Sequence, residues 1–244
     1  MPKKNPQNLP KPQSATKPAP NKSGDLLGPP ADVIAIRKEI DAFFKTTADD
    51  GNKIGSHKWG IYAFFDYDGE PIYVGQTYEG LGSRIGRHLN NQRTDAVAMN
   101  VLDPFEVAEI RVWPLDVSAI PKEQRRDYLD RAEFTVFQKV IGESKLGAIL
   151  NEKPPRPSQV IELPKSYARR IIPADIFPHR KHPDIRIARR AATIASLARR
   201  ISERSVKRGL RTTLLTQAKR LEGLAEARLN DFPEGAEDED QEQD

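Results

Sequence analysis

Glu133 is the residue that fits its surroundings least. Leu129, Ala132, Val136, Phe137 and Val140 recur at helical spacing, and Glu133, four residues after Leu129, falls inside that apolar stripe. A carboxylate turned toward a core must be ion-paired, hydrogen-bonded or bound to a metal. Arg84 and Arg87 are the available partners for a pair. As a ligand, an oxygen donor that leaves waters in place suits Mg2+ or Mn2+ better than zinc. Arg84 and His88 stand four apart and so share a helix face, with Arg87 adjacent and Ile85 and Leu89 on the buried side. A guanidinium matches a phosphate through two parallel hydrogen bonds, which lysine cannot reproduce. Phosphodiester hydrolysis asks for an oriented water, charge neutralisation at phosphorus and help for the leaving oxygen. A divalent ion supplies two of these at once.

The elements that must hold these groups begin with a hairpin. Asp68-Gly69 is a turn signal between two alternating runs, which predicts strands over about 58–66 and 71–76. A two-residue turn with Tyr67 facing Glu70 sets Phe64 opposite Tyr73 and Tyr62 opposite Gly75. Both tyrosines then project from one face as diagonal neighbours, and Gly75 leaves room beside them. Glu79-Gly80-Leu81-Gly82 breaks the chain before a helix from Ser83 to about Gln92. Phe105 to Trp113 alternates as a third strand. Pro121 opens a helix to about Ile141 that carries Glu133. Ahead of the hairpin, Ile36, Ile40, Phe43 and Phe44 predict a helix over 32–47 that packs on the sheet domain.

Gly60-Ile61-Tyr62, ten residues, then Tyr73-Val74-Gly75 resembles the signature of the GIY-YIG nuclease superfamily. Arg84 and His88 in Arg-x-x-x-His, Glu133 on a later helix and Asn151 eighteen positions on match in the family's order, so the resemblance spans roughly 57–153. Val74 stands where isoleucine is usual, and Gln76 where relatives vary. The resemblance implies an α/β (α+β) fold, with a small three-stranded antiparallel sheet flanked by helices. It implies a metal-dependent DNA endonuclease with Mg2+ or Mn2+ on Glu133. Tyr62, Tyr73, Arg84, His88, Glu133 and Asn151 would be the catalytic set, Asn151 holding the site together. Gly75, Gln76 and Arg87, with Lys58, would line the groove. One tyrosine would activate or orient the water, a demanding role: with a pKa near 10, about one phenol in a thousand is ionised at pH 7.

Charge divides the 244 residues unevenly. Residues 1–31 carry five Lys, one Asp and eight of the twenty prolines, and read as a disordered basic tail. Residues 32–157 form the expected nuclease domain, closed by the stiff Pro154-Pro155-Arg156-Pro157. Residues 158–230 form a basic helical region; 165–228 alone hold 17 basic and 5 acidic side chains, an excess of 12 that suits a nucleic-acid backbone. There Ile187, Ala191, Ile194, Ala198 and Ile201 predict the buried stripe of one helix, flanked by Arg186, Arg189, Arg190 and Arg200. Leu210, Leu214, Leu221 and Leu224 predict that of a second. The pair would pack on the nuclease domain as a hairpin or join two copies as a homodimer. Residues 231–244 read as an acidic disordered tail. With no cysteine, disulfides, thiolate metal sites and cysteine nucleophiles are excluded. No apolar run approaches the roughly 20 residues needed to span a bilayer, so the expectation is a soluble, cytoplasmic protein with no membrane partner. The alternatives are a non-cleaving DNA-binding module and a helical oligomerisation protein.

Overall fold

Gly60-Ile61-Tyr62-Ala63-Phe64-Phe65 offers no charged position, and such a strand must be covered on both sides. The computed structural model describes residues 29–89, 103–151, 153–203 and 205–232. There the segment is β1 (Gly60–Phe65), buried along its whole length. It pairs antiparallel with β2 (Pro71–Thr77) on one side and β3 (Glu109–Pro114) on the other. One sheet face carries Tyr62, Phe64, Ile110 and Val112 against α1 (Ala31–Lys45) and α2 (Leu81–Leu89), with Ile40, Phe43, Leu81 and Ile85 filling the layer. The other carries Ile61, Ala63, Phe65, Val74 and Trp113 against α3 (Arg125–Glu143), which contributes Leu129, Ala132, Val136 and Val140. The result is an α+β fold with the sheet between helices, as expected. The expected basic tail of 1–31, the end of the helix reaching Gln92 and the acidic tail of 231–244 lie wholly or largely outside the described residues.

Two features differ from the sequence reading. The sheet has four strands, in the order β2-β1-β3-β4. β4 (Tyr167–Arg170) runs antiparallel to β3. Tyr-Ala-Arg-Arg is short and charged, which disguises a strand and also blunts an exposed sheet edge. The hairpin turn is likewise not the two-residue kind. The amide of Asp66 bonds the carbonyl of Glu70, that of Gly69 bonds the carbonyl of Asp66, and Gly69 sits at φ +78°. This is a three-residue turn whose left-handed third position favours glycine. A compensating bulge between Phe64 and Phe65 restores Phe64 opposite Tyr73 and Tyr62 opposite Gly75.

After the short α4 (Phe177–Lys181), α5 (Pro183–Glu203) and α6 (Arg208–Asn230) pack on each other and on the hairpin turn. The stripe expected on α5 is displaced: its buried residues are Arg186, Arg190 and Leu197, and Ala191 is exposed. On α6 they are Leu210, Thr213, Thr216, Gln217 and Arg220, while Leu214, Leu221 and Leu224 are only partly covered. Three arginines can be buried here because acids wait for them. One oxygen of Asp66 accepts from Arg186 (3.2 Å), Arg190 (2.8 Å) and Arg220 (2.7 Å). Arg190 also reaches Glu106 (3.1 Å), and Arg186 reaches Asp68. The other Asp66 oxygen accepts the amides of Asp68 and Glu70, so the carboxylate also shapes the turn. Burial pushes the Glu106 carboxyl up, against the pull of Arg190 and Arg186. Among the described residues no helix is long and apolar enough to cross a membrane.

Candidate active site

Strand pairing puts Tyr62 and Tyr73 on one face of the hairpin with ring centroids 6.1 Å apart. Gly75 is the clearance between them. A Cβ there would sit 2.6 Å from Tyr62 Cζ and Oη and 2.8 Å from Tyr73 Cε1, with only stiff rings to give way. The phenols differ in access: Tyr62 has no exposed surface, whereas Tyr73 is partly open. Oη of Tyr62 and Nε2 of the buried His88 share a hydrogen bond of 2.9 Å, and the Tyr73 ring packs against the same imidazole, tilted by 45° at 5.3 Å.

Gly80, at φ +128°, turns the chain from β2 into α2 and starts the helix with a bond from the amide of Arg84. Arg84 therefore lies in the first turn, beside the phenols. Burial works against its charge, yet the Tyr62 phenol, hydrogen-bonded to it, the Tyr73 ring and Glu79 together raise its pKa. Its Nε is buried with no hydrogen-bond partner among the described residues. Arg87 forms a surface ion pair with Glu79. Lys58 is exposed.

Glu133 reaches the sheet from the opposite face. Val74 and Gln76 alternate with Tyr73 and Gly75, so they face α3. The Gln76 side-chain amide donates to Glu133 (3.0 Å) and to Asp130 (2.8 Å). Burial and the charge of Asp130 push the Glu133 carboxyl up to about 7, opposed by Gln76, Arg126 and Arg84. No arginine forms an ion pair with Glu133 among the described residues; an amide satisfies it instead. Arg84 connects the two halves, touching Tyr62 on one side of β2 and felt electrostatically by Glu133 on the other. The site thus wraps around an edge strand.

Asn151 holds that edge. Its Oδ1 accepts the Val74 amide (3.0 Å) and its Nδ2 donates to the Val74 carbonyl (2.7 Å), so the side chain mimics a neighbouring strand. The Leu150 amide adds a bond to the Ile72 carbonyl (2.7 Å). Both amide atoms of Asn151 are thus engaged by the backbone of β2.

Asp130 is a site residue that the motif spacing does not single out. It lies one turn before Glu133 on the same helix face, and an i, i+3 pair of acids is itself a visible signal. No group of three His, Cys, Asp or Glu side chains able to hold a metal occurs among the described residues. The donors at hand are two carboxylates sharing one amide, plus the Oε1 of Gln76, which is buried without a partner. An all-oxygen set with few protein ligands fits a hard cation that keeps its waters.

Residues 58–127 match the family model of the GIY-YIG catalytic domain. No curated protein and no solved structure matches the chain. The matched segment includes Tyr62, Tyr73, Arg84 and His88; Glu133 and Asn151 lie beyond it and join the site through the contacts described above.

Proposed function

Because the chain carries a GIY-YIG catalytic domain, a domain of the nuclease superfamily of that name, we propose that it is a metal-dependent endonuclease hydrolysing DNA phosphodiester bonds. The observation that carries this reading is the Arg84 guanidinium, set beside the phenol pair and within electrostatic reach of Glu133. A guanidinium so placed suits a non-bridging phosphate oxygen and the charge that develops on it. Glu133, seconded by Asp130, would hold Mg2+ or Mn2+. When bound, the ion would neutralise phosphate charge and lower the pKa of a coordinated water.

Tyr73, the phenol with access to solvent, orients the attacking water. Tyr62 stands behind it and fixes His88 and Arg84, while Gly75 keeps the rings in register. Asn151 locks β2 so that Gly75 and Gln76 stay between the two halves of the site. Gln76 holds the two carboxylates together.

DNA contact by the basic region needs revision at the level of residues. Arg186, Arg190 and Arg220 are spent inside the protein, and Arg189 and Arg228 on Asp103 and Asp184. The exposed Lys207, Arg208, Arg211 and Lys219 of α6 and its approach remain to meet phosphates. A homodimer through α5 and α6 would use what their intrachain packing leaves open, the partly covered Leu214, Leu221 and Leu224 and the exposed Leu215. Incubating supercoiled plasmid with the protein and Mg2+ is the test. Nicking that Glu133→Ala abolishes is expected. Binding without any nicking, across metals and DNA forms, would instead favour a non-cleaving module.

A further inference from the structure

Beside the Glu133–Gln76 contact, three chain segments build an exposed aromatic surface. Tyr78, the first residue beyond β2, is 46 % exposed although it is a large ring. Trp59, from just before β1, packs against it with centroids 5.9 Å apart. The Arg126 guanidinium, from the first turn of α3, lies 5.1 Å from the Tyr78 centroid. Arg126 in turn faces Asp130 at 3.5 Å, and its charge is felt at Glu133. Trp59 and Arg126 thus hold the ring while it stays exposed, and Arg126 links it to the carboxylates.

We propose that Tyr78, backed by Trp59 and Arg126, is a stacking platform for one unpaired nucleobase next to the scissile phosphate. This rests on reading Arg84 and Glu133 as the groups that handle that phosphate. A base inside an intact duplex has both π-faces occupied and cannot lie on a ring; an unpaired base can, and every base has a face to offer. The neighbouring guanidinium adds a cation–π contact and a phosphate donor in the same place. Through Arg126 and Asp130 the ring adjoins the carboxylates that would handle that phosphate. The substrate class is then DNA with an unpaired strand at the cleavage point, such as a flap, gap or single-stranded junction.

The experiment places 2-aminopurine at successive positions around the junction of a flap oligonucleotide and titrates it with protein in EDTA, so that binding is read without cleavage. A fully paired duplex of the same sequence runs in parallel. One position should be quenched by wild-type protein and by Tyr78→Phe, which keeps the ring. Tyr78→Leu should lose the quench and bind the flap roughly five- to 150-fold more weakly, the range of a single base–aromatic stack, with duplex affinity unchanged. Equal flap binding and equal quench by wild type and Tyr78→Leu overturn the platform and leave the nuclease reading standing. Position-specific quenching by a protein that nicks nothing in Mg2+ supports the platform and removes the nuclease reading. Absence of binding to either DNA removes both.

Discussion

A methyl group at residue 75 would meet two rings at once. Gly75→Ala places its Cβ 2.6 Å from the Tyr62 ring, and the fully buried Tyr62 has no space to retreat. A loss of about 1–3 kcal/mol is expected from such overpacking, visible as a lower urea midpoint with an unchanged slope. Glu133 makes a second prediction at this scale. Its pKa of about 7 lies above the 4.5 of an ordinary glutamate, so the native state holds a proton that the unfolded chain has already lost. Stability should therefore fall as pH rises from about 4.5 through 7. In the metal-free protein, the carboxyl carbon shift of Glu133 should titrate near neutrality. Asp130→Asn, which removes a like charge, should move that midpoint down; an unmoved midpoint would mean that Asp130 does not act on it. Much of this was legible in the chain: an acid in an apolar stripe exposed Glu133, and the expected pairing of Tyr62 with Gly75 holds, although through a three-residue turn and a bulge. The Gln76 amide that joins Glu133 to Asp130 was not legible, since it depends on where α3 crosses β2, a contact between segments more than fifty residues apart.

At the scale of elements, β2 is an edge strand whose outer rim is held by a side chain. Asn151→Ala leaves the Val74 amide and carbonyl without their partners, which should cost on the order of 1–3 kcal/mol. The loss would be local. Hydrogen exchange at Val74 should quicken while the amides of β1, covered on both sides, keep their protection. Uniform loss of protection would mean that the edge is not a separate unit. The asparagine itself was readable from its spacing, its mode of action was not, because a side chain that imitates a strand leaves no periodicity. β4 escaped for a related reason: four residues with two arginines carry neither alternation nor β-branching. The α5 stripe was misplaced because arginine belongs on a solvent face unless its acids are known, and Asp66 lies 120 residues before Arg186.

At the scale of the molecule, the carboxylate of Asp66 joins the helical hairpin to the turn between β1 and β2. Asp66→Ala strips three buried guanidiniums of a shared acceptor and should cost about 3–5 kcal/mol, the effect of breaking a buried ion pair from one side. Denaturant unfolding would measure it, and a change below 1 kcal/mol would mean that the hairpin is held by its apolar contacts alone. Charge spent in this way is withdrawn from nucleic acid. Reversing Lys207, Arg208 and Arg211 to Glu should flatten the salt dependence of DNA binding by about three phosphate contacts, a slope change near 2.7; an unchanged slope would place the phosphates elsewhere. The site itself is tested most directly at Arg84. In a single-turnover nicking assay with Mg2+, Arg84→Ala should be slower by about 10²–10³-fold, while Lys139→Ala, on the exposed face of α3, nicks at the wild-type rate. An Arg84→Ala protein that binds DNA and nicks it as fast as wild type would contradict a site built across β2.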